Sequence, residues 1–467
     1  MALEAGSVRV VSPAGVLVEQ TEGTMRSIGL DVGKHVAEVA ISEPGRGTRS
    51  AGRISASPES LRAFATTLRP DDQVVLEATT NTWAIVELLE RHAGRVVVSN
   101  PLRTRAIADA KVKTDTIDAA TLAELLAADY LPTVWQPDPA TRALRRRVAS
   151  RAVLVAERTR LRNRISAVLT RNLVVCPWSD TFGRGGRAWL TTVELPTDER
   201  EVVDLTLRLL DGLAAEIEVA EAGIARTVVD DARIRRLLSI PGIGLQTAVG
   251  LIAVIGDAGR FTRPNKLVGY LGLDPIVRQS GGRPAYTGHI SHAGQGHVRG
   301  LLVEAALGAA RVPGPLHAFY GRVAARRGHA IAIVAVARKL AVLAWHLLTD
   351  DVDYRWAPAR LTATKIRAVE LAAGAPSQRG RVSGSGETRD RAKRERELER
   401  AVLAQAEAAY VAFVEARRTT DAVATKRGAT EFSQGQSPAR LRGGVESPTS
   451  ALRHGVDRVR AEDTPTA

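Results

Sequence analysis

Residues 27–41, SIGLDVGKHVAEVAI, constrain the fold most. Apolar Ile28, Leu30 and Val32, then Gly33-Lys34, then Val36, Val39 and Ile41 read as strand, turn, strand. Asp31 interrupts this run. A carboxylate on a buried strand costs several kcal/mol unless it is paired, so the rest of the chain must supply a reason for it.

The pattern over 27–128 predicts a mixed α/β domain. Segments 27–32, 36–42 and 49–55 form a three-strand antiparallel meander with short turns. Ser57, Pro58 and Glu59 open a helix over 57–68. A strand over 73–78, a helix over 81–92, a strand over 95–100 and helices over 101–111 and 114–129 follow. Three antiparallel strands followed by alternating helix and strand is the order of a RuvC/ribonuclease-H-like domain. Carboxylates ending its first and fourth strands, here Asp31 and Glu77, converge at one edge.

Further along, residues 142–171 hold ten Arg and one acid, Glu157. Leu154, Leu161, Ile165 and Val168 recur there at helical spacing. A second long helix over 201–229 carries Leu205, Leu209, Leu213, Ile217, Ile224 and Val228 on one stripe. The pair predicts a helical hairpin or coiled coil used for oligomerisation, with Arg145, Arg146, Arg147 and Arg151 facing phosphates. Residues 233–357 are expected to be a mostly helical domain. The whole divides into an extension over 1–24 expected to be disordered, an α/β domain over 25–135, long helices over 140–232, the helical domain, and a basic tail over 358–467. That tail is expected to be mostly disordered, with one helix over 395–418. Met25, just before the first strand, offers an alternative translation start.

A net charge of +14 and a pI near 10.5 call for a polyanionic partner, nucleic acid or an anionic surface. No uninterrupted apolar segment of about 18 residues stands out and no signal-peptide pattern opens the chain, so no membrane span is expected. Cys176 is the single cysteine, which excludes an intramolecular disulfide and a cysteine-based zinc cluster. A cytoplasmic, nucleoid-associated protein acting on nucleic acid is the expectation.

Asp31, Glu77, Asp115 and Asp118 come from three elements, the last two three apart at a helix start. Four carboxylates sharing a small volume repel one another unless cations sit among them. Mg²⁺ suits such a set, since it takes oxygen ligands and is normally completed by substrate phosphate. Two ions about 4 Å apart can clamp an in-line displacement at phosphorus. The ordinary readings are a turn residue at Asp31 and a helix cap at Asp115.

PGIG, 241–244, lies between two apolar helices, and Gly242 and Gly244 would offer backbone N–H groups to phosphate as a helix-hairpin-helix does. Ser280 in RQSGGRP is flanked by Arg278 and Arg283, which can hold a phosphate. QSGG standing alone is more often a plain loop. His289, His292 and His297, followed by Arg299, lack a zinc spacing, so phosphate contact or solvation is the expectation.

Taken in order, GLDVGK, VVLEAT, VKTDTIDA, SIPGIGLQTA, KLVGYLGLDP, QSGG, GHISHAG and VRGLLVEAA resemble the insertion-sequence transposases with a RuvC-like DEDD domain, also called bridge recombinases. The likeness covers about 25–350. It implies DNA recombination that moves the encoding element, with Asp31, Glu77, Asp115 and Asp118 as Mg²⁺ ligands, two ions being expected. It implies that Ser280 attacks DNA to give a phosphoserine link, and that a structured RNA of the element guides the choice of DNA. A homodimer or higher homo-oligomer is expected. A structure-specific nuclease or junction resolvase with a passive Ser280 is the alternative, and a non-enzymatic nucleic-acid-binding remnant is a third. A sugar-kinase or actin-like ATPase would need a second glycine-rich phosphate loop, and 95–130 has none.

Overall fold

A computed structural model describes residues 8–11, 17–20, 25–108, 114–279, 286–291, 293–377 and 386–433. The chain forms two compact units, Met1–Asp138 and Pro139–Ala467.

In the first unit, β1 (Val8–Val11) and β2 (Leu17–Gln20) pair antiparallel. This ribbon lies in the stretch expected to be disordered; its first strand holds three valines, and Pro13 and Gly15 follow before the second, a signal passed over. The main sheet is built from β3 (Ser27–Val32), β4 (Val36–Glu43), β5 (Gly47–Ser55), β6 (Gln73–Glu77) and β7 (Arg95–Ser99). Its order is β5-β4-β3-β6-β7, with the first three antiparallel and β3, β6 and β7 parallel. That is the order the ribonuclease-H-like expectation requires. The helices are α1 (Pro58–Ala65), α2 (Thr82–Leu89), α3 (Pro101–Ile107) and α4 (Asp115–Ala127). Ser57 caps α1 as expected, accepting from the Ser60 N–H. α1 and α2 cover one face over Ile28, Leu30, Val74 and Leu76.

α4 covers the other face, and Gly29 sets how closely. A Cβ at Gly29 would lie 2.0 Å from Ala119 O and 2.8 Å from Ala123 N. Both are backbone atoms and cannot swing aside. Gly29→Ala is therefore expected to destabilise the unit by ~3 kcal/mol or more by overpacking, lowering its thermal midpoint by more than ~10 °C. A calorimetric scan with an unchanged midpoint would show that α4 does not pack as described.

The second unit begins with α5 (Pro139–Arg171), α6 (Arg184–Leu190) and α7 (Thr197–Val228). α5 and α7 pack along each other through Leu161, Ile165 and Val168 against Val203, Leu207 and Leu210, with Leu190 of α6. The expected stripe is half right: Ile217, Ile224 and Val228 are buried, whereas Leu205 and Leu209 are each 47% exposed. Val203, Thr206 and Leu210 face inward in their place, a shift of the stripe by one residue.

Next come α8 (Ala232–Leu238), α9 (Leu245–Ile255), α10 (Pro264–Tyr270), the ribbon β8 (Pro275–Arg278) and β9 (Tyr286–Ile290), α11 (Gly296–Ala309), α12 (Pro315–Arg327), α13 (His329–Asp350), α14 (Ala359–Ala372) and α15 (Gly386–Ser433). α9 is buried from Thr247 to its end at Ile255. α13 is long and apolar enough to cross a membrane, contrary to the expectation that no such segment exists. Here it is a core helix: Val336, Ala337, Leu340, Ala341 and Ala344 are fully buried among α8, α10, α11 and α12. Lys365 of α14 donates to Leu238 O and Ile240 O, each at 2.8 Å, fastening α14 to the end of α8. α15 outruns the helix expected over 395–418 at both ends and seats Leu403 and Ala406 in the fold. Residues 434–467 lie outside the described ones.

Candidate active site

The site grows from side-chain alternation on strands. Asp31 shares a face with Gly29, and Glu77 shares one with Val75. Val75 packs against Leu122 and Leu126 of α4. Both acids therefore lie on the face that α4 covers. β3 and β6 pair in parallel with Leu30 opposite Leu76, so one further step in register brings Asp31 beside Glu77 at the carboxyl ends of the strands. Both are half-buried.

α4 delivers the remaining two acids to this edge. Ala119 and Ala123 pack on Ala40, and Thr116 Oγ1 lies 3.5 Å from Glu38 Oε2. Glu38 is the residue paired with Asp31 across the β3–β4 ladder. The first turn of α4, which holds Asp115 and Asp118, is thus at the Asp31 end of the sheet. Thr114 caps this helix through the Ile117 N–H at 3.3 Å, so capping does not account for Asp115. Acids in a first helical turn do gain from the helix dipole, roughly 0.3–1 kcal/mol each, but that explains neither Asp31 nor Glu77.

Glu38 escaped the sequence reading. It is buried, and its carboxylate takes the Arg53 Nε at 2.5 Å. The pairing offsets the cost of a second acid directly across from Asp31. The same contact set ties β4 to the start of α4. Its signal was available, since a carboxylate breaks VAEVAI just as Asp31 breaks SIGLDV. Asp72 shows the contrasting structural case. It is fully buried at the other end of the sheet, held by Arg26 Nε at 2.7 Å and by the Arg69 N–H at 2.7 Å.

Two strand ends and the first turn of α4 thus meet at one edge of the sheet. Among the described residues no three or more His, Cys, Asp or Glu side chains are arranged to hold a metal ion as they stand. The donor set itself suits Mg²⁺: oxygen only, from two strand ends and a helix start.

Of the residues expected to meet nucleic acid, Lys34 is exposed in the Gly33–Val36 turn. Arg146 and Arg147 are exposed on α5. Arg145 and Arg151 are committed to the fold instead. Arg145 donates to Ala253 O at 2.6 Å and Val254 O at 3.0 Å, capping the end of α9, and Arg151 pairs with Glu221 at 2.5 Å. Successive arginines point in different directions around a helix, so a run of them cannot all face one ligand.

The two glycines of PGIG also part company. Gly242, at φ +83°, packs on α11, where a Cβ would meet Ala305 O at 2.1 Å. Gly244 has open space beside it and begins α9 without a side-chain cap. Gly242 therefore serves packing, and Gly244 is the one of the two whose backbone stands in open space.

Arg278 and His289 are exposed on the β8–β9 ribbon. Arg299 lies against Gly272, its Nη1 2.6 Å from where a Cβ would stand. Ser280, Arg283 and His292 lie outside the described residues, the first two in the segment joining β8 to β9.

Sheet order, covering helix and acid placement define a mixed α/β DEDD-type domain joined to a mostly helical unit. Comparison with known proteins sharpens this. A DEDD transposase model of the IS110 type matches residues 28–173, and the transposase IS116/IS110/IS902 family model matches 234–321. The transposase-named protein y4qE of Sinorhizobium fredii is 30% identical over 286 residues, covering 60% of this chain and 70% of the relative. The transposase for insertion sequence element IS1328 of Yersinia enterocolitica is 26% identical over 342 residues, 70% of this chain and 98% of the relative. The pilin gene-inverting protein of Moraxella lacunata is 27% identical over 241 residues, 49% of this chain and 64% of the relative. The chain belongs to the IS110/IS116 family of insertion-sequence transposases.

Proposed function

We propose that this chain is a Mg²⁺-dependent DNA transposase that breaks and rejoins strands through Ser280. Asp31, Glu77, Asp115 and Asp118 are the residues that would hold the ions. The observation that carries this reading is the convergence of β3, β6 and the first turn of α4 on one sheet edge. When bound, divalent ions supply charge stabilisation at a phosphorus undergoing displacement.

In this reading the Ser280 Oγ attacks a DNA phosphorus. The new Oγ–P bond replaces a P–O bond to deoxyribose, and the released sugar oxygen takes a proton. Attack by another strand's hydroxyl then reverses the exchange, freeing the serine and conserving one phosphodiester. Arg278 and Arg283 hold the phosphate, and Gly244 with the first turn of α9 steadies the backbone nearby. Recombination is favoured over simple hydrolysis by the likeness to the pilin gene-inverting protein, whose name describes rearrangement of a DNA segment. A structured guide RNA accounts for much of the +14 charge, with Lys34, Arg146 and Arg147 among its exposed contacts. Domain limits near 25–135, 140–232, 233–357 and 358–467, and a homo-oligomer paired through α5 and α7, complete the proposal.

The test is strand exchange between donor and target DNA by the full chain with the RNA flanking its reading frame. Exchange is expected with Mg²⁺ or Mn²⁺. Chelation by EDTA is expected to reduce it at least a thousandfold, and restored Mg²⁺ to recover it. Exchange of equal rate in EDTA would rule out the carboxylate site.

A further inference from the structure

α12 and all but the last residue of α13 contain five Lys/Arg, Arg322, Arg326, Arg327, Arg338 and Lys339, and no acid. α15 packs across α12. Arg322 is partly buried between them. Its Nε is shielded from solvent and has no hydrogen-bond partner. Among the described residues its Nη2 reaches only the Tyr410 hydroxyl of α15, at 3.5 Å, and its guanidinium stands 5.4 Å over the Phe319 ring. Lys339 makes no hydrogen bond or ion pair with a described residue. Burial, and then the charges of Arg322 and Arg338, push its amine below the usual lysine range. The acid of α15 on this side, Glu407, is spent on the Gly314 N–H at 2.9 Å and on His317 at 4.0 Å.

A shielded guanidinium donor on α12, close enough to a desolvated ammonium on the adjoining α13 to be felt by it, with no carboxylate among the described residues answering either, is costly unless an anion joins them. We infer that Arg322 and Lys339, with Arg338 beside them, form a phosphate-binding site at the α12–α13–α15 junction. Arg322 supplies directed N–H donors and Lys339 a point charge, a pairing suited to phosphate oxygens. The phosphate belongs either to a nucleic-acid backbone or to a free phosphate ion. None of its three residues belongs to the acids or to the serine proposed above for catalysis.

Full-length wild-type chain, Arg322→Gln and Lys339→Met are compared in two assays. In the first, inorganic phosphate replaces chloride at matched ionic strength and thermal midpoints are read. A free-ion site is expected to raise the wild-type midpoint by ~2–4 °C near ten times its dissociation constant and neither variant's. General salting-out would raise all three alike. In the second, affinity for a labelled DNA duplex is followed against salt; this arm alone rests on the DNA binding proposed above. A backbone-phosphate site is expected to lower the log–log slope by about 0.9 in each variant. Either result supports the site and identifies its source. Lys339→Met also removes an uncompensated charge, so it is expected to fold at least as stably as wild type in chloride. Equal phosphate response in all three proteins together with equal salt slopes would overturn the inference.

Discussion

Asp31→Asn and Glu77→Gln are each expected to abolish DNA strand exchange while leaving affinity for DNA and RNA within about twofold. A carboxylate-to-amide change keeps size and removes the negative charge that draws in a cation. Metal stabilisation at a reacting phosphate amounts to several kcal/mol, so about 4 kcal/mol lost is roughly a thousandfold in rate. In the proposed reading binding is carried by lysines and arginines elsewhere, which a single acid-to-amide change does not touch. Neither variant should unfold the sheet, because both side chains are half-buried at strand ends, unlike fully buried Asp72. Single-turnover exchange and filter binding on the same preparations separate the two effects. A variant that recombines normally would remove its residue from the site. One that loses binding in proportion to activity would mean the acid acts on structure.

Ser280→Ala is expected to eliminate the covalent protein–DNA species and strand joining together. Removing one hydroxyl deletes the atom that would carry the phosphoryl group, so residual activity comes only from water, several orders of magnitude below wild type. The assay is denaturing electrophoresis of labelled DNA, in which a phosphoserine link appears as a protease-sensitive shift. Ser280→Cys offers a contrasting nucleophile and is expected to retain weak linkage. If Ser280→Ala still cuts DNA at the same sites, the serine is passive and the carboxylates direct water at phosphorus, as in a junction resolvase.

The parts legible in the sequence were those that broke a period. Asp31 stood out because an acid interrupts an apolar strand, and Glu77 because it ends one. Glu38 broke its own strand in the same manner but was passed over, because only the ladder shows that it faces Asp31. The sheet order followed from element order, since short links leave few topologies. Charge runs were much less informative. Arg145 and Arg146 are neighbours in sequence, yet one caps the end of α9 and the other faces solvent. The same blindness affected Gly242, whose role depends on α11 more than sixty residues on. Apolar content misled at α13, where composition cannot distinguish a membrane span from a helix buried by its neighbours. Ser280 carried no physical signal of its own, and its role comes from family resemblance alone.

In the proposed mechanism β3, β6 and α4 bring acids to one edge to hold divalent cations. The most direct measurement is a crystal of the full chain soaked in Mn²⁺ with anomalous data collected. Peaks are expected within ligand distance of Asp31 and Glu77, with α4 carrying Asp118 or Asp115 into contact, and two peaks about 4 Å apart once DNA is present. Density for ordered Asp31 and Glu77 carboxylates pointing to opposite faces of the sheet, with no peak between them, would contradict it.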